Sequence, residues 1–289
     1  MGLLDAISAY GGAGTPFGRY SLAQVYQHQY SQEFQLIGNT SQVQFLGGAF
    51  YYHETAGDNA QTPNMLVWGP GGNSYTVNPA SNPLDLSRVR IDRASKAWTD
   101  SLGVFGQATW TPEAMQRLHL TAGGRYTRDD KKGRLYIVNG AATNLAFKDR
   151  WSRFDPMVNI AYDLGEHAMV YAKYSTGLKA GGANSRSTNY SAFGPEEVTA
   201  YELGFKSQFW DNRARLNLAV FDSTIAHKQM DFSLPFDPNS GETRTTMVTT
   251  NALSDGKSRG AELEFNVMPV DNLTCLLYTS DAADDMQCV

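Results

Sequence analysis

The chain has 289 residues and a formal net charge of −5, with only 18% charged side chains, below the roughly one-quarter of an ordinary soluble domain. A mean hydropathy of −0.39, with no run near the ~18 apolar residues of a spanning helix, excludes a helical membrane protein. Plentiful aromatic and β-branched residues argue against disorder, and the acidic balance argues against a nucleic-acid partner. The 27 glycines and 15 tyrosines leave an aromatic- and glycine-rich β-protein.

Along the chain the hydrophobic period is two rather than 3.6. Weaker strands fall near 28–38 and 42–54. In the next, Trp98, Leu102, Val104, Gly106, Ala108 and Trp110 share one face, opposite Thr99, Ser101, Gly103, Phe105, Gln107 and Thr109. Leu118, Leu120, Ala122, Gly124 and Tyr126 then alternate with His119, Thr121, Gly123 and Arg125. Phe154, Pro156, Val158, Ile160 and Tyr162 form the next apolar face, and a weaker strand follows at 168–177. Tyr201, Leu203, Phe205 and Phe209, then Leu216, Leu218 and Val220, then Ala261, Leu263, Phe265 and Val267 complete the series. About nine or ten strands result. Pro156 lacks the N–H that a ladder requires, so a local bulge is expected there.

The connections alternate in length. Short turns near Gly38–Ser41, Pro112–Gln116, Asp163–His167, Trp210–Arg213 and Pro269–Asn272 interleave with long polar links near 55–97, 128–152, 178–197 and 226–250. All short turns therefore fall at one end of the sheet. Outer-membrane barrels have this asymmetry, whereas soluble sandwiches carry long loops at both ends. Trp98 and Trp110, about 30 Å apart along the membrane normal at ~3.3 Å per residue and ~40° tilt, match two aromatic girdles. Tyr162, Phe209 and Trp210 would join the periplasmic girdle, and Tyr126, Trp151 and Phe154 the outer one. The fold class is an all-β, antiparallel transmembrane barrel of the outer-membrane type, present in part.

Several strings carry a family resemblance: Leu120-Thr-Ala-Gly-Gly-Arg-Tyr-Thr-Arg-Asp-Asp130, Tyr171-Ala-Lys-Tyr-Ser-Thr-Gly-Leu-Lys-Ala-Gly-Gly182, Tyr201-Glu-Leu-Gly-Phe-Lys206, Phe209-Trp-Asp-Asn-Arg-Ala-Arg-Leu-Asn-Leu218 and Ser258-Arg-Gly-Ala-Glu-Leu-Glu264. With Ser31-Gln-Glu-Phe-Gln-Leu36 and Gly47-Gly-Ala-Phe-Tyr-Tyr52, and in this order, they resemble TonB-dependent outer-membrane receptors over most of 28–270. The resemblance implies a Gram-negative outer-membrane location and uptake of a scarce nutrient, most often a ferric siderophore. It also implies coupling to the TonB complex through a plug and TonB box, outer-membrane lipid around a monomeric barrel, and no enzymatic activity. The family's signal peptide, TonB box and plug are not visible here, and its barrel has twenty-two strands. The chain is therefore expected to be an internal barrel portion, residues 1–274. Cys275-Leu-Leu-Tyr-Thr-Ser-Asp-Ala-Ala-Asp284 breaks the preceding pattern and resembles a translated sequencing-library adapter, so 275–289 is expected to be a non-native tail. Without it both cysteines disappear, and with Asp281, Asp284 and Asp285 removed the net charge becomes −2.

Chemistry-bearing motifs are sparse. His28, His53, His119, His167 and His227 show no ligand spacing, which predicts no metal site. Gly11–Gly14 and Gly181-Gly182 read as turns rather than phosphate loops, and no G-x-S-x-G elbow is present. The sequons at Asn39, Asn189 and Asn272 carry no assignment. No catalytic residue and no cofactor are expected. The strand charges Arg125, Asp155, Lys173, Glu202, Lys206, Glu262 and Glu264 should face the lumen, because a charge facing lipid at mid-strand costs about 2–4 kcal/mol. Ligand contacts, for a small molecule or metal chelate, would come from extracellular positions such as Trp151, Tyr190, Phe193 or Phe232, with no single residue assigned. The rival readings are a passive porin, an outer-membrane enzyme built on His119 with a nearby serine, and a soluble β-sandwich.

Overall fold

A computed structural model describes residues 14, 16–70, 73–234, 246–280 and 283–288. The strands are β1 (Pro16–Arg19), β2 (Leu22–Asn39), β3 (Val43–Gln61), β4 (Asn64–Trp68), β5 (Tyr75–Val77), β6 (Arg93–Trp110), β7 (Leu118–Val138), β8 (Ala141–Asp163) and β9 (Ala168–Lys179). They continue as β10 (Gly182–Ala183), β11 (Ala192–Phe193), β12 (Glu196–Phe209), β13 (Ala214–Ala226), β14 (Gln229–Leu234), β15 (Thr246–Asn251), β16 (Gly256–Val270), β17 (Leu273–Ser280) and β18 (Ala283–Cys288). Eleven of them form one antiparallel meander in the order β2-β3-β6-β7-β8-β9-β12-β13-β16-β17-β18. It is open, with β2 and β18 at its margins. The nine long strands up to β16 match the alternating segments of the sequence. β17 and β18 add a hairpin from residue 273 onward, with Cys275 opposite Cys288 in register.

Register carries the alternation across the whole sheet. One row runs Val43, Trp110, Leu120, Ile160, Ala172, Leu203, Val220, Ala261, each residue opposite the next. These side chains share an apolar face left open to the surroundings: Phe34 is 71% exposed, Phe154 60% and Leu203 60%. An uncovered apolar face of this size on a continuous antiparallel sheet suits hydrocarbon rather than water.

The short turns lie together at one end, as the sequence predicts. At the other end one expected link is absent. Residues 128–152 form no loop: β7 and β8 stay paired from Leu118↔Tyr162 to Val138↔Ala141. They reverse on Asn139 and Gly140, both at positive φ (49° and 76°), the two-residue turn whose twist suits a hairpin. The pair thus runs twelve residues past Tyr126, roughly 30 Å at ~3.3 Å per residue and ~40° tilt. The other long links carry small sheets: β4-β5 within the β3–β6 link, joined by β1 from ahead of β2, β10-β11 between β9 and β12, and β14-β15 between β13 and β16.

The aromatic boundary also differs from expectation. On the apolar face of β6–β8, the row above Val104, Tyr126 and Phe154 holds Leu102, Arg128 and Ser152, and the next holds His53, Asp100, Asp130 and Arg150. Charges there cannot face hydrocarbon, so the apolar band ends at Tyr126 and Phe154. Trp98 stands one row beyond the charges, opposite Lys132, and is not a girdle residue. Trp151 lies on the polar face. The outer boundary is made instead by Tyr30 with Tyr51 (ring centroids 6.4 Å apart), Tyr126, Phe154, and Tyr174 with Tyr201 (5.2 Å). Eight residues separate Tyr126 from Leu118 and Phe154 from Tyr162, about 20 Å along the normal. At the short-turn end, Trp110, Tyr162 and Phe209 hold their expected places, Phe209 stacking near Phe265 at 6.4 Å. Trp210 sits in the turn itself, at φ 59°.

Pro156 causes no bulge, since Gly124↔Pro156 is an ordinary pair. The ladder between β8 and β9 runs from Asp163↔Met169 to Met157↔Ser175, so Pro156 lies just past its end and has no β9 partner there. Register shifts occur elsewhere, between Ala94 and Ser95, Leu135 and Ile137, and Val267 and Val270.

Candidate functional site

The polar face is built by the residues between the apolar ones. All seven predicted charges fall on it, and register brings several together. Lys173 stands opposite Glu202, and Arg125 opposite Asp155. The Arg125 guanidinium lies 5.5 Å from the ring centres of both Phe50 and Phe105, and its Nε donates to Thr127 Oγ1 at 3.0 Å. Tyr171 donates to Glu202 Oε1 at 2.5 Å, while Lys206 Nζ rests 5.4 Å over the Tyr171 ring. Glu264 accepts from Asn217 at 2.9 Å and Asn266 at 3.0 Å. Glu262 faces Ala219 in the next strand. The face is thus a lattice of charges already engaged by neighbours, with a depression lined by Arg125, Asp129, Asp155, Thr127 and Leu178.

Where the β8–β9 ladder ends, side chains take over. Arg153 Nε lies 3.0 Å from Asp155 Oδ1, and its Nη1 lies 2.5 Å from Glu197 Oε2 on β12. Thr176 donates to Asp155 Oδ1 at 3.0 Å.

Above this seam the long links form a rim. Trp151 stacks beside Phe147 (6.2 Å, 25°), and Tyr190 meets Phe147 edge-on (6.5 Å, 81°). Tyr190 is 8% exposed, and burial pushes its phenol above the usual tyrosine value, with Tyr136 adding to the rise. Its hydroxyl occupies the space a Cβ on Gly133 would take, and a Cβ on Gly181 would strike Phe193 O and Trp151. These glycines are required by close approach. The reading of Gly181-Gly182 as a turn is thereby refined: Gly182 opens β10, paired to Phe193. Residues 11–13 of the other glycine run lie outside the described residues.

Three amide side chains join the two later links. Asn184 Nδ2 donates to Thr249 O at 2.8 Å, and the Thr249 N–H returns a bond to Asn184 Oδ1 at 2.6 Å. The Gly194 N–H donates to Asn251 Oδ1 at 2.6 Å, while Asn251 Nδ2 donates to His227 O at 2.8 Å. Gln229 Nε2 donates to Ala180 O at 3.1 Å and Gly194 O at 3.0 Å. Lys131 Nζ reaches Gly181 O at 3.1 Å, bringing the extended hairpin into the same assembly.

Of the four aromatic candidates, the structure brings Trp151, Tyr190 and Phe193 to one region. Phe232 is placed on β14, opposite Val248 and half-exposed. Two further features went unread in the sequence. One is an aromatic group between β1 and the β3–β6 link: Phe17 of β1 stacks on Trp68 (4.2 Å, 11°), with Tyr75 edge-on at 6.1 Å. The other is the amide clasp itself. Its residues are ordinary loop polars until the fold pairs them.

His119 lies between Thr111 Oγ1 (2.9 Å) and Asp163 Oδ2 (2.9 Å). This relay sits at the short-turn end and ties the β6–β7 turn to the end of β8, its hydroxyl being a threonine's. Among the described residues no group of three or more His, Cys, Asp or Glu could hold a metal ion.

The profile of the TonB-dependent receptor-like β-barrel family matches residues 4–285. Among solved structures, the ferric yersiniabactin uptake receptor FyuA of Yersinia pestis aligns with a TM-score of 0.67 at 15% identity, covering 93% of this chain and 36% of that one. The alcaligin outer-membrane receptor FauA of Bordetella pertussis aligns with a TM-score of 0.55 at 15% identity, covering 92% and 41%. The copper transporter OprC aligns with a TM-score of 0.58 at 16% identity, covering 89% and 38%. The chain therefore spans well under half the length of these structures. Family members are receptors and transporters of the Gram-negative outer membrane rather than enzymes, which makes the apolar face lipid-facing and the polar face lumenal. The chain belongs to the TonB-dependent receptor β-barrel family.

Proposed function

We propose that this barrel serves a receptor that captures a scarce nutrient at the cell surface and imports it with energy from the TonB complex. A ferric siderophore or another metal chelate is the cargo that fits best. The observation that carries this reading is the composite rim. Two long links are locked together by Asn184, Asn251 and Gln229 above a lumen lined by alternating charge. A rim preorganised in this way loses less ordering entropy when it closes on a ligand than separate loops would. Structural neighbours named as a ferric yersiniabactin uptake receptor, an alcaligin receptor and a copper transporter support the same class of cargo. TonB engagement through a plug, and a monomeric barrel, belong to the same proposal.

The test is uptake of a panel of radiolabelled ferric chelates by cells with and without the receptor, in TonB-competent and TonB-deficient backgrounds. Uptake of at least one chelate should depend on both. Uptake that needs the receptor but persists without TonB would make it a passive pore.

A further inference from the structure

We infer that the open edge of β8 between Leu145 and Ser152 is a docking strand for an extended peptide whose side chains alternate between acidic and apolar. The β8–β9 ladder ends at Met157↔Ser175, while β8 goes on pairing with β7 as far as Ala141. Above Met157, then, β8 has a strand on one side only. Its other edge carries a row of N–H and C=O groups, the template on which a further strand adds. Two features bound the usable stretch. Below it, Arg153 crosses to Glu197 of β12. Above it, β7 and β8 slip by one residue between Leu135↔Leu145 and Ile137↔Ala142, and such a bulge ends regular pairing. The eight residues between span roughly 26 Å at ~3.3 Å per residue.

Two observations say which backbone groups face the open side. Neighbouring residues of an antiparallel strand turn their N–H and C=O to opposite sides. Pro156 pairs with Gly124 without a bulge, so the N–H it lacks belongs on the side away from β7. Ala146, Lys148, Arg150 and Ser152 share its parity. Consistently, the Arg150 N–H donates to the side chain of its neighbour Asp149, at 2.7 Å. All four residues are exposed.

The two faces beside this edge fix the chemistry of the occupant. Phe147 and Trp151 stand on the lumenal face with ring centroids 6.2 Å apart, and Lys148 and Arg150 stand on the other. A strand added to β8 places successive side chains on opposite faces. One alternate set therefore lies against the aromatic rings and the other against the cations, which suits apolar and acidic residues in turn. Main-chain bonds give such a complex its affinity, and the alternate side chains its specificity. A second copy fits poorly: two barrels upright in one membrane bring their β8 strands together at about twice the ~40° tilt, too crossed to pair. The inference is independent of which nutrient the receptor carries.

The detergent-solubilised receptor is titrated with a fluorescent eight-residue peptide alternating glutamate and valine, and anisotropy reads binding. Controls are the same residues in two blocks, and two peptides N-methylated on the glutamates or on the valines. The alternating peptide should bind roughly tenfold or more tightly than the block peptide, because only it satisfies both faces and the ladder together. One methylated peptide should lose binding by a similar factor while the other keeps it, since only one alternate set of N–H groups meets β8. Lys148→Pro should also abolish binding, and Lys148→Gln should only weaken it. Heat-modifiable gel mobility verifies folding. If Lys148→Pro does not fold, the methylated pair still decides, because it leaves the receptor unaltered. Equal binding by the two methylated peptides, or by the alternating and block peptides, would overturn the proposal in favour of simple ionic attraction. A receptor that dimerises without peptide, through an edge that Lys148→Pro disables, would overturn it in favour of a second copy.

Discussion

Asn251 and Gly194 exchange hydrogen bonds in both directions: the glycine N–H donates to the amide oxygen at 2.6 Å, and the amide nitrogen donates back to the glycine carbonyl at 3.1 Å. The same side chain reaches His227 O at 2.8 Å. One residue thus fixes the approach of β12 against the start of the β14–β15 hairpin.

Asn251→Ala should therefore loosen both links without touching the wall. Leaving part-buried backbone groups unpaired costs about 1–3 kcal/mol, which corresponds to roughly a tenfold to hundredfold faster local amide exchange. Hydrogen exchange should show this increase at 180–195 and 226–230 and leave the β7–β8 ladder unchanged.

The membrane boundary can be tested by moving a charge along one face. Val158→Arg, within the apolar band, should cost about 2–4 kcal/mol, whereas Trp98→Arg should cost no more than about 1 kcal/mol. Unfolding by denaturant in lipid vesicles reads both. Equal costs would return Trp98 to the girdle.

The hairpin tip depends on a left-handed residue. Gly140 has a φ of 76° and its N–H donates to Asp92 O at 3.0 Å. Gly140→Val should cost about 1–2 kcal/mol and raise protease cutting at the tip.

Tyr190 supplies a pH dependence. Burial raises its phenol above the unfolded value near 10, so the unfolded link ionises first as the medium becomes alkaline. Its packing is intact below pH 10 and is lost as pH rises through the higher folded value. Ultraviolet titration of Tyr190→Phe should show one late-ionising tyrosine fewer than the wild type.

The strands were legible wherever one face meets lipid, because only there does the sequence alternate between apolar and polar. Beyond Tyr126 both faces of β7 and β8 are wet. Asp129, Asp130, Lys131 and Lys132 then read as a loop, although Asn139-Gly140 carried a hairpin signal. Asp100, skipped between Trp98 and Leu102, was the residue that could have placed Trp98 outside the band. The seven lumenal charges were readable from the cost of facing them to lipid. The rim was not, because Asn184 and Thr249, sixty-five positions apart, leave no local pattern.

Every other neighbouring pair of long strands is joined along its length by backbone bonds, which do not depend on side-chain identity. Above Met157 and Ser175, β8 is held instead by side chains, Asp155 to Thr176 of β9 and Arg153 to Glu197 of β12. That stretch of wall is therefore written in side chains, and point substitutions can open, tighten or re-polarise it while the ladders on either side stay the same.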